Sequence, residues 1–221
     1  MDLPIAKPAV RRVLVINPNT NPEVTRRISE HVKAGISAGI AAEIRNPTSG
    51  PFSIETAADR ASAVPAVLDM IRQSPDCDGY VLACFDDIAV DEARQLVRAP
   101  VYSLAQVAIE TAAEAGERFT IVTTVEDQIP AIQALIAKYG AKDIGSVRAC
   151  RIGVAEASRQ TDRAEALLDT QIRTAIADDG AAAVVLGSGA YAGRADELAA
   201  KYGIRIVEGL SAAIARMASP A

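Results

Sequence analysis

Histidine occurs once in this 221-residue chain and cysteine three times. A single histidine, His31, argues against a His-based metal site and leaves a serine nucleophile no spare partner base. Three cysteines cannot all pair, and their spacing fits neither a disulfide framework nor a zinc site, so no metal is expected. No run approaches the roughly 18 apolar residues of a membrane span. The start Met1-Asp2-Leu3-Pro4 has neither the charged nor the apolar region of a signal peptide, so no membrane partner and a cytoplasmic location are expected. Positive charge is not in excess: 28 Asp+Glu face 23 Lys+Arg, a net −5, which argues against nucleic acid as a partner. Against these absences, half the residues are hydrophobic and 23% are charged, enough for a sizeable core. At roughly 100–200 residues per domain, the length suits one large domain or two small ones. A small-molecule protein is the class that remains.

Short β-branched runs alternate with longer Ala-rich segments of helical period. Val13 to Ile16 reads as a buried strand ended by the turn cluster Asn17-Pro18-Asn19-Thr20. Asn21 then caps a helix with Pro22 at its first position, running to about Ala38. Strands are expected at Ala42 to Arg45, Tyr80 to Ala83, Val101 to Ser103, Phe119 to Val122, Ser146 to Ile152, Ala183 to Leu186 and Arg205 to Val207. Helices are expected at Ile54 to Arg72, from near Ala89, at Asp127 to Lys138, Asp162 to Ala177 and Leu210 to Met217. Such alternation implies an α/β fold with parallel sheets covered by helices on both faces.

The two halves resemble each other. A slide of 104 residues lays Gly79-Tyr80-Val81-Leu82-Ala83-Cys84 over Ala183-Val184-Val185-Leu186-Gly187-Ser188. A slide of 106 lays Val15-Ile16-Asn17 over Ile121-Val122-Thr123, and near 105 Val101 meets Ile206. Three strand ends in matching order imply a duplicated βα unit and two pseudo-symmetric lobes. The expected lobes are 1–105, joined by an exchanged C-terminal helix 208–221, and 116–207. Parallel sheets bind ligands at the carboxyl ends of their strands. A cleft between the lobes then gathers Asn17, Cys84, Thr123 and Ser188.

Cys84 follows a strand and precedes Phe85-Asp86-Asp87 and a helix, a position where the helix dipole lowers a thiol pKa. Cys77 in a polar loop and Cys150 within a strand are expected to be inert. Leu186-Gly187-Ser188-Gly189-Ala190-Tyr191 is glycine-dense, yet it lies too near the C-terminus for a dinucleotide fingerprint. It also lacks the flanking glycines of a nucleophile elbow. What it offers is backbone N–H groups aimed into the cleft. Asn17, Ser53 and Thr123-Thr124 supply uncharged donors and acceptors. Asp86-Asp87 is expected to cap the next helix rather than bind metal, and His31 to lie on the surface mid-helix.

Together Ile16-Asn17-Pro18-Asn19-Thr20, Gly50-Pro51-Phe52-Ser53-Ile54-Glu55, Ala83-Cys84-Phe85-Asp86-Asp87, Val122-Thr123-Thr124 and Ser146-Val147-Arg148-Ala149 resemble the pattern of the aspartate/glutamate racemase superfamily, in its hydantoin racemase branch. The resemblance runs from Val13 to Met217. It implies a two-lobed pseudo-symmetric α/β fold, homo-oligomers, a small-molecule substrate and cofactor-independent racemisation by two cysteines on opposite faces of the substrate. Cys84 matches the first cysteine, and Ser188 stands where the second belongs. The other site residues implied are Asn17, Ser53, Phe85, Thr123, Thr124, Gly187, Gly189 and Tyr191. A serine hydroxyl is far less acidic than a thiol of pKa about 8.5, so Ser188 is a poor second acid/base. The leading expectation is an isomerase moving a proton at the carbon beside a carbonyl of a small ureide or amino-acid-like compound, with Cys84 as acid/base. The alternatives are one-thiol chemistry on the same scaffold, namely cis–trans isomerisation or decarboxylation of small carboxylates, and a non-catalytic small-molecule binder.

Overall fold

The computed structural model of the protein describes residues 11–36 and 39–218. Its first half runs β1 (Arg11–Ile16), α1 (Pro22–Gly35), β2 (Ile40–Arg45), α2 (Ala57–Arg72), β3 (Gly79–Leu82), α3 (Val90–Leu96), β4 (Val101–Ser103) and α4 (Leu104–Ala113). The second runs β5 (Phe119–Thr123), α5 (Ile129–Lys138), β6 (Gly145–Ala149), α6 (Val154–Ala157), α7 (Asp162–Ala177), β7 (Ala183–Leu186), α8 (Ala195–Tyr202), β8 (Arg205–Glu208) and α9 (Gly209–Ala218). The strands form two four-stranded parallel sheets of order β2-β1-β3-β4 and β6-β5-β7-β8. The α/β fold with two helix-flanked parallel sheets is therefore the one expected from the sequence. Among the described residues no helix is long and apolar enough to cross a membrane.

Register confirms the duplication strand by strand. Val13 pairs with Gly79 and Tyr80 with Val101 in the first sheet. Phe119 pairs with Ala183 and Val184 with Ile206 in the second. These equivalent positions are separated by the same 104, 105 and 106 residues that the sequence slides show. The halves are joined by helices: α4 lies against β7 and β8 as well as β4, and α9 against β3 and β4 as well as β8. Where α4 and α9 meet, a Cβ on Gly209 would collide with the Leu104 carbonyl, so only glycine permits that approach. One apolar cluster accordingly runs through both halves, from Val15 and Ile28 to Ile121, Val185 and Ile214. A smaller one packs Leu14, Ile16, Tyr80 and Leu82 against Val67 and Ile71 of α2.

Several local expectations shift. Asn21 caps α1 by accepting from Glu23 N at 3.0 Å, with Pro22 in the first turn. The expected end near Ala38, the opening Met1 to Pro4 and the last three residues of 208–221 lie outside the described residues. Helix α2 begins at Ala57 rather than Ile54, because Thr56 and Asp59 form a reciprocal capping box, with N–H···O distances of 3.1 and 2.8 Å. That frees Gly50 to Glu55 to cross towards the second half. Strand β6 ends at Ala149, so Cys150 lies just past it, buried. Helices α6 and α8 occupy stretches where the sequence reading assigned nothing.

Candidate active site

In each sheet the two central strands end at one crevice, β1 and β3 in the first and β5 and β7 in the second. The residues just past those ends are Asn17, Ala83-Cys84, Thr124 and Gly187-Ser188. The crevices face each other. A single cavity is lined by Asn19, Ile54, Cys84 and Phe85 from the first half and by Gln128, Gly187, Ser188 and Gly189 from the second. The loops nearly touch: a Cβ on Gly189 would lie 3.5 Å from the Ala83 carbonyl oxygen. The free volume is about 20 Å³, room for a water molecule rather than a ring.

Cys84 is half-buried. The backbone N–H groups of Phe85 and Asp86 favour its thiolate, and the Arg60 guanidinium helps. Burial is the larger effect, and the Asp86 carboxylate adds to it, so the pKa lies well above the ordinary thiol value. The dipole expectation fails for a geometric reason. Helix α3 begins only at Val90, is seven residues long and starts behind Ala89 in a left-handed conformation (φ 60°). A pKa raised in this way favours the protonated thiol in the ligand-free protein.

Ser188 occupies the matching position after β7. Gly187 before it has to be glycine, because a Cβ there would sit 2.7 Å from Ile121 Cγ2 and 3.1 Å from the Val122 oxygen. Ser188 Oγ accepts from Ala190 N at 3.2 Å, and the Gly187 amide donates to Val122 O at 2.9 Å. Two of the amides expected to face the cleft are thus engaged. The amides of Ser188 and Gly189 find no protein acceptor among the described residues. No imidazole is close enough to bond the Ser188 hydroxyl.

The remaining site candidates are not among the residues that line the cavity. Asn17 is fully buried, and its amide donates to Asn19 Oδ1 at 3.0 Å and Thr25 Oγ1 at 2.9 Å. It thereby sets Asn19, which does reach the cavity. Thr123 donates to Gln128 Oε1 at 2.6 Å, and Gln128 Nε2 donates to the Ile54 oxygen at 3.1 Å. Thr124 is buried with its hydroxyl unpaired among the described residues. Tyr191 is buried behind the serine loop, its hydroxyl 3.3 Å from Cys150 Sγ. Ser53 is half-buried, and its neighbour Ile54 lines the cavity instead. Of the residues the sequence reading passed over, Asn19 lay inside a quoted turn motif. Gln128 and Val154 carried no local signal.

Asp86 and Asp87 do not cap α3. Asp86 is 3.0 Å from Arg60 Nη1, and Asp87 accepts from Ser103 Oγ at 2.6 Å, Lys138 Nζ at 3.0 Å and the Tyr139 hydroxyl. The last two partners come from the second half, so Asp87 ties the cysteine loop across the molecule. His31 is not a free surface residue either. It is partly buried and 2.7 Å from Ser211 Oγ, with Glu208 Oε1 at 3.4 Å. Burial lowers its pKa and raises that of Glu208 to about 7. Glu208 accepts the Gly193 N–H with both oxygens at 3.1 Å, anchoring the end of the serine loop.

Known proteins resemble this chain in sequence and fold. The chain is 36% identical over 203 residues to a hydantoin racemase from Rhizobium meliloti, covering 90% of this chain and 84% of the relative. An allantoin racemase structure from Klebsiella pneumoniae superposes with a TM-score of 0.88 at 31% identity, over 93% of this chain and 85% of that one. An allantoin racemase from Pseudomonas fluorescens superposes equally well, also at 0.88, with 28% identity over 93% of this chain and 88% of that one. The family model described as Asp/Glu/Hydantoin racemase matches residues 13–217, nearly the whole chain. This chain belongs to the Asp/Glu/hydantoin racemase family, a family of isomerases.

Proposed function

We propose that the protein is a hydantoin- or allantoin-type racemase that moves a proton at the carbon beside a carbonyl of a small, neutral ureide, with Cys84 as acid/base. The observation that carries this reading is the placement of Cys84 and Ser188. They follow strands of matching register in the two sheets and line one cavity. No Lys or Arg side chain is among the lining residues, which favours an uncharged ring over an amino-acid carboxylate. The relatives named as hydantoin and allantoin racemases point to the same class.

In the proposed step Cys84 first gives its thiol proton to solvent, and the resulting thiolate takes the proton from the carbon next to the carbonyl. The C–H electron pair moves into the ring, giving an enolate whose charge rests on the carbonyl oxygen. Return of the proton from Cys84 on the same face regenerates the thiolate, whereas delivery from the Ser188 side leaves Cys84 protonated and the donor there deprotonated. The proton on Cys84 must then pass through solvent to that side before the next turnover. The amides of Ser188 and Gly189, without an acceptor among the described residues, suit the enolate oxygen. Since the free volume is about 20 Å³, binding begins with an opening of the cavity. The segment Gly50 to Glu55 is the natural part to move. It has no regular secondary structure, exposes Phe52 and is fastened to the second half through Ile54 O and Glu55 Oε1, the latter 3.1 Å from Val154 N.

Solvent deuterium exchange at the reacting carbon, followed by NMR over 5-substituted hydantoins, allantoin and small dicarboxylates, tests the reading. Exchange confined to the ureides supports it. Exchange of the dicarboxylates alone overturns the substrate class, and no exchange of any compound overturns the activity.

A further inference from the structure

Gln128 lies in the short turn between β5 and α5, is 8% exposed and lines the cavity that holds Cys84 and Ser188. Its amide orientation is settled by its partners. The Ile54 carbonyl can only accept, so the atom 3.1 Å from it must be Nε2, and Oε1 then receives the Thr123 hydroxyl at 2.6 Å. Thr123 also approaches the Gly187 oxygen at 3.3 Å, so the same hydroxyl links this amide to the serine loop. The amide nitrogen carries two hydrogens. One is used by Ile54, and the other has no acceptor among the described residues. A buried N–H without a partner costs about 1–3 kcal/mol, which a ligand oxygen in the cavity would recover.

We propose that Gln128 is a substrate-binding residue whose second Nε2–H donates to the ring carbonyl oxygen beside the reacting carbon. This rests on the ureide racemase reading and assigns that site a donor. The donor is neutral and held from both ends, so it favours an uncharged carbonyl and strengthens as that oxygen gains charge in the enolate. Thr123 acts through it as a positioning residue. The bond to Ile54 fastens the Gly50 to Glu55 segment, so the amide senses whether that segment is closed.

The test pairs a change in the protein with a change in the ligand. Hydantoin carries the carbonyl in question. 2-Imidazolidinone keeps the cyclic urea but lacks that carbonyl and any acidic C–H. Binding of both is measured by NMR titration on the wild type and Gln128→Leu, alongside C5 deuterium exchange of hydantoin. The wild type is expected to prefer hydantoin by about tenfold, and the variant to lose that preference. Exchange should fall by about 10²–10³-fold, mainly in kcat, as for loss of an oxyanion donor. Equal weakening of both ligands, with their ratio kept, shows that Gln128 only fastens Ile54 and overturns the proposal while leaving the activity standing. A wild type that binds neither compound and exchanges none overturns the racemase reading, and Gln128 with it. Should the leucine variant not fold, Gln128→Glu, which keeps an acceptor for Thr123, is put through the same comparison. A lost preference for hydantoin then supports the proposal, and a kept ratio overturns it.

Discussion

Asp86→Asn should raise the fraction of Cys84 present as thiolate. Asp86 follows Cys84 by two residues and is largely buried, so its charge acts on the thiolate with little screening. For a charge within the roughly 4–6 Å over which neighbours shift a pKa, at an effective dielectric constant of about 20, the interaction is worth about 3–4 kcal/mol, or roughly 2–3 pK units. Arg60 Nη1 lies 3.0 Å from Asp86 Oδ2 and offsets a large part of that. If half survives, the substitution lowers the Cys84 pKa by about 1 unit, and the thiolate fraction at neutral pH rises about tenfold. Asparagine preserves the shape and an oxygen for Arg60, so the fold should hold. The assay is kcat/KM for deuterium exchange against pH, which reports groups of the free enzyme. Because Cys84 starts as a thiol of raised pKa, wild-type kcat/KM should climb with pH through the neutral range. The variant's profile should have the same shape, displaced by about one unit to lower pH, and iodoacetamide should label Cys84 correspondingly faster. Superimposable profiles, or displacement to higher pH, would refute the idea that Asp86 holds the thiol up.

Three further outcomes follow from the same geometry. Deuterium should wash into one enantiomer faster than that enantiomer inverts, because Ser188 is a weak acid with no base bonded to it among the described residues. Loss of one acid/base costs about 10²–10⁴-fold, and Ser188→Cys should narrow the lag between NMR exchange and polarimetric inversion. Gly209→Ala should lower stability by about 1–3 kcal/mol in denaturant melts, since the new methyl meets the Leu104 backbone; an unchanged midpoint would show that α4 and α9 separate easily. Glu208 prefers to be protonated in the folded state, with its pKa near 7, against about 4.3 unfolded. Its contribution is therefore complete below about pH 4 and is lost as pH rises towards 7, and Glu208→Gln should flatten that decline in Tm.

Much of the fold is legible in the sequence because its signals are local or periodic. Val13 to Ile16 and Ala183 to Leu186 are unbroken apolar runs, as strands buried on both faces require. Asn21-Pro22 marks a helix start that the cap confirms, and the helix expected from Asp162 begins there behind the Thr161 cap. The 104-residue slide anticipates which positions are equivalent, since it aligns strand ends rather than loops. What stays hidden depends on partners far along the chain. Asp86 and Asp87 look like caps until Arg60, Ser103, Lys138 and Tyr139 claim them. His31 has the spacing of a solvent-facing residue, yet Ser211, 180 positions away, bonds to it. Cys84 looks like a thiol on a helix dipole, but the depth of burial that raises its pKa is set by packing of both halves. Asn17 and Thr123 stand out for their position at strand ends, and their own hydrogen bonds pass that position on to Asn19 and Gln128.

The most direct test of the account is exchange at the reacting carbon in the wild type and in Cys84→Ala, side by side, by NMR in deuterium oxide. Hydantoin, a 5-substituted hydantoin and allantoin serve as substrates, and Cys77→Ala, altered in a buried thiol that is not part of the cavity lining, serves as control. The wild type and the control should exchange a ureide C–H, while Cys84→Ala should lose exchange with a Tm close to that of the wild type. Undiminished exchange in Cys84→Ala would contradict the assignment of Cys84 as acid/base.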